Sequence, residues 1–536
     1  IQNISTVHTS HPPTYIQADK SLSVWYADDS QVLGKLTSIR TWYDRVKLRG
    51  PAYGYFLNDK TKLIVKAPFL DKAKELFAGE NIEISAEGAR DLGAAIGSAH
   101  FLQSHVRDKV AKWNAQVESL ANIAKTQPHA AHAVFTLGLR NKWAHVQRTM
   151  KNTEAEFHSI EDTVRNLLLP ALFGDNAPLS DQDRALYALP PKFAGLGISQ
   201  PVSDSGFAHL DSWQYSSLLQ DNILSGDPTF AVDPEAFEEI KKTIKQRRIQ
   251  RRTEDLNLLT TGMSPEALKV VELARDPGSS SLYTAMPLAR HGCIFRSKLD
   301  WRDLTSMRYR KLPKDIAPTC ACGKPFSLDH SQICKVGGFI YLRHNDVSQL
   351  WAHLCRKIWR DVQIEPTLQA LSGEVLDLKS ANRSPEARSD VRVRSFWRRY
   401  QNAFFDFRVF YPFASSYRSS SVSSLYKRFE NAKKREYKQR IDEVEAAEFV
   451  PMVMSTSGGM GEAMVKALRR LASALADKTG ETYSQLMGVL RCRFAFAMMR
   501  SALVCLRGTR SRVSNSNITY SNSWDMSSDM VSRELF

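Results

Sequence analysis

The sequence contains no uninterrupted apolar run of about twenty residues, the length that a helix needs to cross a bilayer. The apolar stretch 494–506 is interrupted by Arg500 and is typical of a core helix. The sequence therefore predicts no membrane-spanning helix and no membrane partner. Cysteine is also scarce: the seven residues are odd in number and partly clustered. This usage argues against a disulfide scaffold and indicates a reducing compartment, the nucleus or the cytoplasm.

Acidic residues are in deficit, because 57 Asp and Glu face 73 Lys and Arg and leave a net charge of +16. Such an excess favours a polyanionic partner, either nucleic acid or an anionic membrane surface. Hydrophobic content of 43% and charged content of 24% are ordinary for a globular protein. The 536 residues allow about three or four domains, each large enough to bury a core.

Two adjacent carboxylates, Asp28 and Asp29, lie near the start of the sequence between two apolar runs. Residues 24–26 lead into the pair and Val32 and Leu33 follow it, a pattern that predicts a β-hairpin with both acids at its turn. Two carboxylates on a rigid turn suit Mg²⁺, or Mn²⁺, which prefers oxygen ligands and substrate phosphates. A solvated turn without a metal is the structural alternative.

The context Tyr26-Ala27-Asp28-Asp29 resembles the catalytic hairpin of reverse transcriptases. Residues 54–62 are similar to the next motif of that family, and residues 91–97 to the turn that grips the primer, although Asp91 stands where an aromatic is common. The resemblance implies that Asp28 and Asp29 hold metal ions at the polymerase centre. It further implies that Lys60 is the general acid toward pyrophosphate; a solvated lysine after a turn is the alternative.

The following region is predicted to be helical, because apolar residues recur at helical spacing between residues 100 and 255. The resemblance makes residues 1–100 a partial palm, in which a helix near residues 36–48 and strands around Phe56 and Ile64 are expected after the hairpin. It makes residues 101–255 a helical thumb with its connection. The loop 188–198 resembles a turn found after the thumb helices of non-LTR retroelement polymerases. Residues 241–252 form the densest basic run, which is either a solvated helix face or a phosphate-tracking surface.

A cysteine and histidine cluster follows a predicted linker region, residues 256–318, whose turn-rich part is residues 276–281. Three thiols and one imidazole complete a tetrahedral shell, which favours structural Zn²⁺. The four ligands are Cys320, Cys322, His330 and Cys334. Unrelated buried thiols are the alternative, and Cys355, His344 and His353 are alternative ligands. A CCHC cluster in residues 319–346, downstream of a reverse transcriptase, resembles site-specific non-LTR retrotransposons that carry a restriction-like endonuclease.

That resemblance implies a nuclease with the PD-(D/E)xK pattern of two acids and a lysine. Asp390 and Asp406 each lie among apolar strand-forming residues and could hold Mg²⁺ or Mn²⁺ against a phosphodiester. Ser389 replaces the usual proline, and Arg408 stands where the simplest pattern has lysine. Two strand-end aspartates that pair with local arginines are the alternative. Glu374 is an additional candidate acid, from a preceding helix.

The lysine of the nuclease is predicted to come from the next helix, where residues 431–438 include three candidates. Lys434 is the preferred residue, three positions before Tyr437, and Lys433 and Lys438 are its rivals. Residues 450–454 are predicted to add a strand to the nuclease sheet.

The predicted fold class is therefore α+β multidomain: partial palm, helical thumb, zinc knuckle and α/β restriction-like endonuclease. The endonuclease covers residues 347–465, C-terminal helices 466–510, and a disordered tail 511–536. The implied activity is RNA-directed DNA synthesis from deoxynucleotides, primed by a nick in a DNA target and copying an RNA template. The alternatives are a catalytically inactive nucleic-acid-binding remnant and a protein that is only a nuclease.

We expect little polymerase activity from this chain alone. Reverse transcriptases place their fingers and a further metal-binding aspartate well before the catalytic hairpin. Asp19 is too close to the hairpin to supply that ligand from a separate strand. We therefore expect a fragment that begins just upstream of the hairpin. Primer extension by the purified chain that is abolished by Asp28→Ala would contradict this expectation.

Overall fold

The chain folds as a mixed α+β protein with small sheets, which confirms the coarse fold class. The computed structural model describes residues 21–26, 29–175, 177–225, 233–288, 292–295, 297–313 and 315–510. No helix in these ranges combines the length and the low polarity that crossing a bilayer requires. Two compact units are present, and each is built from separate segments. The first comprises residues 1–116, 141–162 and 200–251; the second comprises residues 117–140, 163–199 and 252–536.

The first unit begins with the predicted hairpin. Strands β1 (Ser21–Tyr26) and β2 (Asp29–Gly34) pair antiparallel, with Tyr26 opposite Asp29. Helix α1 (Leu36–Arg49) follows, as its sequence predicts. The strand expected near Ile64 is present, whereas residues 55–58, where another was expected, are irregular. The next elements are β3 (Lys62–Ile64), α2 (Leu70–Leu76), β4 (Glu83–Ser85), β5 (Gly88–Asp91), β6 (Ala94–Gly97) and α3 (Ala99–Ala124).

The hairpin is held against α1 by aromatic packing. The ring of Trp25 lies 6.1 Å from that of Trp42 and 4.9 Å from that of Tyr55. Trp42 belongs to a small buried core that also contains Val46 and Phe77. Strands β3 and β4 pair in parallel, and β5 pairs antiparallel with β6. The hairpin is therefore part of a packed structure rather than an isolated loop.

Helices dominate the middle of the chain, as predicted for residues 100–255. A π-helical turn, Val164–Leu168, joins α6 to α7. Serine precedes several helices of the chain and accepts a backbone N–H from the first turn, the usual N-cap interaction. The helices are α4 (Pro128–Leu137), α5 (Ala144–Thr149), α6 (His158–Thr163), α7 (Leu169–Phe173), α8 (Asp181–Ala188), α9 (Pro201–Ser225), α10 (Pro234–Thr260), α11 (Pro265–Ala274) and α12 (Lys298–Arg308).

The second unit contains a four-stranded sheet with strand order β10-β9-β8-β7. Strand β10 is parallel to β9, and the other neighbours are antiparallel. The predicted strand at residues 450–454 is thus present in this sheet as β10. The elements are α13 (Leu328–Ile333), α14 (Phe339–Arg356), β7 (Val362–Ile364), β8 (Val391–Arg394), β9 (Asn402–Phe410), α15 (Val422–Lys433), α16 (Gln439–Glu443), β10 (Glu448–Ser455), α17 (Glu462–Thr479) and α18 (Tyr483–Arg507).

Helices cover both faces of this sheet, which explains why β9 and β10 are apolar along almost their whole length. Phe405 and Phe407 of β9 face a core shared with α14, α17 and α18. Phe404 and Phe410 face the opposite side, where they pack against residues of α15, α16 and the turn between them. The strand alternation places Asp406 on this second side, between two buried phenylalanines.

The predicted domain ranges of the second half stay predictions, and several elements run across their limits. Helix α14 begins inside the predicted knuckle range and continues into the predicted nuclease range. Helices α17 and α18, which make up most of the predicted C-terminal helices 466–510, share one core with the sheet. The predicted linker 256–318 contains α11 and α12, and its Trp301 is only 1% exposed. Its turn is also packed, since the Met460 N–H donates to the Pro277 carbonyl at 3.1 Å.

Asp276 gives this packed turn a pH dependence. The Tyr426 hydroxyl donates to Asp276 Oδ2 at 2.9 Å, and burial raises the pKa of Asp276 to about 7. The folded state then binds a proton that the unfolded chain releases near pH 4, so this carboxyl lowers stability as pH rises from about 4 to 7. We expect Asp276→Asn to flatten the fall in melting temperature across that range. Thermal unfolding followed by circular dichroism at each pH checks this, and an unchanged pH profile would contradict it.

Candidate active site and metal centre

The sheet of the second unit brings Asp390 and Asp406 together. Asp390 directly precedes β8, and Asp406 lies in the middle of β9, the neighbouring strand. Since Val391 is paired with Phe405, the antiparallel register sets the two acids side by side. The Phe407 N–H donates to Asp390 Oδ2 at 2.5 Å. Ser389, in the position where proline is usual, donates its hydroxyl to the Phe405 carbonyl at 3.0 Å and so anchors the start of β8.

Lys433, at the C-terminal end of α15, reaches the buried acid. Its Nζ lies 2.5 Å from Asp406 Oδ2 and 3.9 Å from Glu436 Oε2. Asp406 is 3% exposed, and an uncompensated charge at such a site is costly. Burial raises the pKa of Asp406 to about 7; Lys433 opposes this rise, and the negative charge of Asp390 adds to it. Binding of a second cation beside Lys433 would favour the carboxylate form.

His344, on α14, completes the group from the other side. Its Nε2 lies 3.3 Å from Asp390 Oδ2 and 3.3 Å from the Phe407 carbonyl oxygen. Burial lowers the pKa of His344, but the hydrogen bond and charge of Asp390 outweigh that effect and raise the pKa to about 8. The imidazole is therefore largely protonated at neutral pH. Two acids, a lysine, a histidine and a backbone carbonyl thus converge at one place.

The structure places Lys433, named as a rival, against Asp406, whereas the preferred Lys434 contributes to the electrostatics of Glu430. Helical spacing does not separate the two lysines. Lys433 lies four residues after Phe429 and Lys434 four residues after Glu430, and both Phe429 and Glu430 are buried. The contact with Asp406 is what distinguishes Lys433.

Three other residues considered for the nuclease have contacts of their own. Arg408, which stands where the simplest pattern has lysine, is exposed, with its guanidinium 4.8 Å from the ring of Phe429. Glu374 lies in an irregular segment, not on a helix, and its carboxylate accepts hydrogen bonds from Ser372. Lys438, the other rival lysine, pairs with Asp442 on the exposed side of the helix.

The four predicted zinc ligands converge in the second unit. Their ligand atoms all lie within 4.8 Å of one another. Cys320 Sγ is 3.8 Å from Cys334 Sγ, and Cys322 Sγ is 3.3 Å from His330 Nε2. A tetrahedral Zn²⁺ with bonds of about 2.3 Å to sulfur separates two thiolates by about 3.8 Å. The donor set and its spacing therefore fit zinc, and this cluster could hold the ion.

Short local elements build the cluster. The Gly323 N–H donates to the Cys320 carbonyl, and Gly323 has a φ of +85°, which allows the tight turn between the first two cysteines and Lys324. His330 lies on α13, whose N-cap is Ser327, and Cys334 ends that helix. Burial lowers the pKa of His330, which keeps the imidazole in the neutral form that binds a metal.

One helix connects the cluster with the acid pair. Helix α14 begins five residues after Cys334 and carries Arg343 and His344 side by side. The Arg343 guanidinium is buried and donates to the side chain of Gln332 at 3.1 Å and to its carbonyl at 3.2 Å. It thereby ties α14 to α13 while His344 reaches Asp390. The alternative zinc ligands His344 and Cys355 are occupied elsewhere, in the acid group and in the core of the sheet.

The predicted polymerase motifs also meet, in the first unit. Asp28 lies outside the described residues; Asp29 opens β2 and is exposed. The Gln31 side chain donates to both carboxylate oxygens of Asp91, at 2.9 and 2.8 Å. The Ser30 hydroxyl lies 2.6 Å from the Tyr55 hydroxyl. One strand of the hairpin thus contacts both of the motifs that follow it in sequence.

Lys60 is exposed in the turn before β3. Its backbone N–H donates to Asn58 Oδ1 at 2.9 Å. Within the part of the chain that the structure describes, its side chain forms no ion pair with a carboxylate. The position leaves it available to a ligand. No protein-family model matches the chain, and no curated protein matches it.

We expect the purified chain to carry about one zinc ion, bound by thiolates that protonate as pH falls. Cys320→Ser and Cys334→Ser should lose the ion and lower the melting temperature, because the metal–ligand bonds that would hold α13 and the start of α14 would be lost. Metal content measured by mass spectrometry, with release followed as pH is lowered, checks this. Cys492→Ser, outside the cluster, is the control and should retain zinc. Equal zinc in all variants would refute the site.

Proposed function

We propose that the second unit is a metal-dependent endonuclease that nicks DNA, within a retroelement-type reverse transcriptase and endonuclease polypeptide. The convergence of Asp390, Asp406 and Lys433 at one end of a covered sheet supports this proposal most strongly. The three residues come from β8, β9 and α15, elements separated by up to 43 positions in sequence. A structural ion pair needs only one acid, whereas two adjacent carboxylates can hold a divalent metal for phosphodiester hydrolysis.

The donor set fits Mg²⁺ or Mn²⁺. Asp390, Asp406 and the Phe407 carbonyl offer three oxygens, the ligand type that these ions prefer. The same three groups would hold the ion. When bound, it would polarise the phosphodiester and stabilise its developing negative charge.

The protein's own cations would complete the chemistry. Lys433, beside Asp406, would orient a phosphate oxygen or the attacking water through its ammonium group. His344 holds Asp390 in place through the contact between Nε2 and Oδ2. The zinc cluster would act structurally, since three thiols and one imidazole leave no open position for substrate. Any contribution of the cluster to DNA binding would depend on α14, the helix that follows it.

A polymerase function of the first unit is the second proposal, and the contacts of β2 favour it. The Gln31–Asp91 and Ser30–Tyr55 hydrogen bonds join all three predicted motifs around the acidic hairpin. In this proposal Asp28 and Asp29 hold metal ions, Lys60 assists pyrophosphate departure, and the nick made by the endonuclease primes synthesis on an RNA template. Little extension is expected from this chain alone. Primer extension that is lost in the Asp28→Ala and Asp29→Ala variants would support the polymerase proposal and overturn that expectation.

The nuclease proposal predicts that the purified chain nicks supercoiled plasmid in Mg²⁺ or Mn²⁺. Asp390→Ala and Asp406→Ala should show no nicking above background, because each removes a metal ligand. Lys433→Met should slow nicking about 100-fold or more, the usual effect of losing a group that stabilises transition-state charge. Conversion of supercoiled to open-circular DNA, followed by gel electrophoresis over time, gives the rates.

Lys434→Met is the matched control, because it removes the same charge one residue away and should leave the rate within about threefold. A rate lost in Lys434→Met and kept in Lys433→Met would overturn the assignment of the lysine. Salt-sensitive DNA binding with no nicking in either metal would favour the nucleic-acid-binding remnant.

A further inference from the structure

The turn between β8 and β9, residues 395–401, presents cations to solvent at the edge of the second unit. Arg394, which ends β8, and Arg398 and Arg399 within the turn are all exposed. Across the described ranges, no carboxylate forms an ion pair with any of these three arginines, in contrast to Arg392, which lies 2.8 Å from Asp361. Tyr400 is 68% exposed in the same turn. This short stretch therefore carries three exposed guanidiniums without an ion-pair partner among the described residues and one exposed aromatic ring.

Buried packing and backbone hydrogen bonds hold the turn in place. Phe396 is fully buried, with ring centroids 4.7 Å from Trp359 and 4.9 Å from Phe405. Arg470 of α17 donates through Nε to the Phe396 carbonyl at 3.0 Å. The Ser395 N–H donates to the Gln401 carbonyl at 2.7 Å and closes the turn. The exposed side chains thus extend from a fixed backbone, which lowers the entropy that binding would cost.

Backbone strain accompanies the exposed residues. Ser395 and Tyr400 both have a φ of +66°, a left-handed conformation that residues with a Cβ rarely adopt. The Tyr400 N–H donates to the Ser395 hydroxyl at 2.9 Å, which holds the conformation. The Arg399 guanidinium lies 5.1 Å from the Tyr400 ring, and that of Arg394 lies 6.0 Å from it. Strain of this kind persists where an exposed arrangement has a use.

The turn is close to the proposed cleavage centre. Asp390 precedes β8 and Arg394 ends it, so four residues of extended strand separate the acid from the start of the turn. At about 3.4 Å a residue this is about 14 Å, the axial rise of about four base pairs. A duplex whose phosphate lies at Asp390 and Asp406 can therefore also reach the turn.

We propose that the turn 395–401 binds the backbone of the target DNA about four base pairs from the cleaved phosphate. Arg398 and Arg399 contact phosphates, and Tyr400 contributes an aromatic contact beside them. The inference rests on the proposed nuclease function for its choice of DNA as the ligand. Unpaired cations beside an exposed aromatic are the combination with which proteins bind nucleic-acid backbones without reading sequence.

Binding of a fluorescent duplex DNA to the full chain tests this, by anisotropy without added Mg²⁺ over about 50 to 200 mM salt. Arg398→Gln/Arg399→Gln should reduce the slope of log Kd against log salt by about 1.8, since each phosphate contact contributes about 0.9. Tyr400→Leu removes no charge and should leave the slope unchanged. Lys192→Gln/Lys298→Gln, which removes two exposed lysines from other elements of this unit, is the matched control and should leave the slope unchanged.

Zinc content and circular dichroism equal to those of the wild type establish that each variant is folded. An unchanged slope in the arginine variant, or an equal change in the lysine control, would overturn the inference. A loss confined to RNA would overturn it too, because the proposed ligand is DNA. Plasmid nicking is measured separately. A wild-type chain that does not nick but shows the arginine-dependent slope would refute the nuclease alone and leave the turn as a DNA contact.

Discussion

The second unit depends on the burial of one carboxylate, Asp406, inside a sheet that helices cover on both faces. A charge at such a position is tolerated only beside a compensating charge. Lys433, at the end of α15, supplies that charge, with its Nζ 2.5 Å from Asp406 Oδ2. Asp390 on the adjacent strand adds a second negative charge, and His344 approaches it from α14. The candidate active site is thus the arrangement that makes a buried acid acceptable.

Helix α14 carries this arrangement to the cysteine cluster. Arg343 and His344 are neighbours in sequence, yet the first binds Gln332 beside the cluster and the second binds Asp390. Because a helix is stiff over its few turns, the position of His344 depends on where α14 begins. The zinc ion, which the cluster could hold, would set that beginning. Through α14, the proposed structural metal would therefore help to position the proposed catalytic group.

The hairpin of the first unit also depends on contacts with neighbouring elements. A two-stranded hairpin is marginal by itself, and here aromatic packing of Trp25 on α1 stabilises it. Asp91 stands where the family that this sequence resembles commonly has an aromatic residue. Its carboxylate accepts both hydrogen bonds from the Gln31 side-chain amide. A departure from the expected pattern therefore has a local structural role. It ties the acidic hairpin to the turn that the resemblance associates with the primer.

The sequence alone determined the features that depend on local pattern. The acidic hairpin, the helical middle, the cluster of three cysteines and one histidine, and the strands around Asp390 and Asp406 follow from alternation and spacing. Tertiary structure decided what local pattern leaves open. Lys433 and Lys434 are equivalent in type and one residue apart, and only the helix face that packs on β9 distinguishes them. Residues 276–281 have the composition of a linker, but Pro277 and Asp276 bind partners about 150 to 180 positions away in sequence. Such contacts depend on how distant elements pack, which no short window of sequence contains.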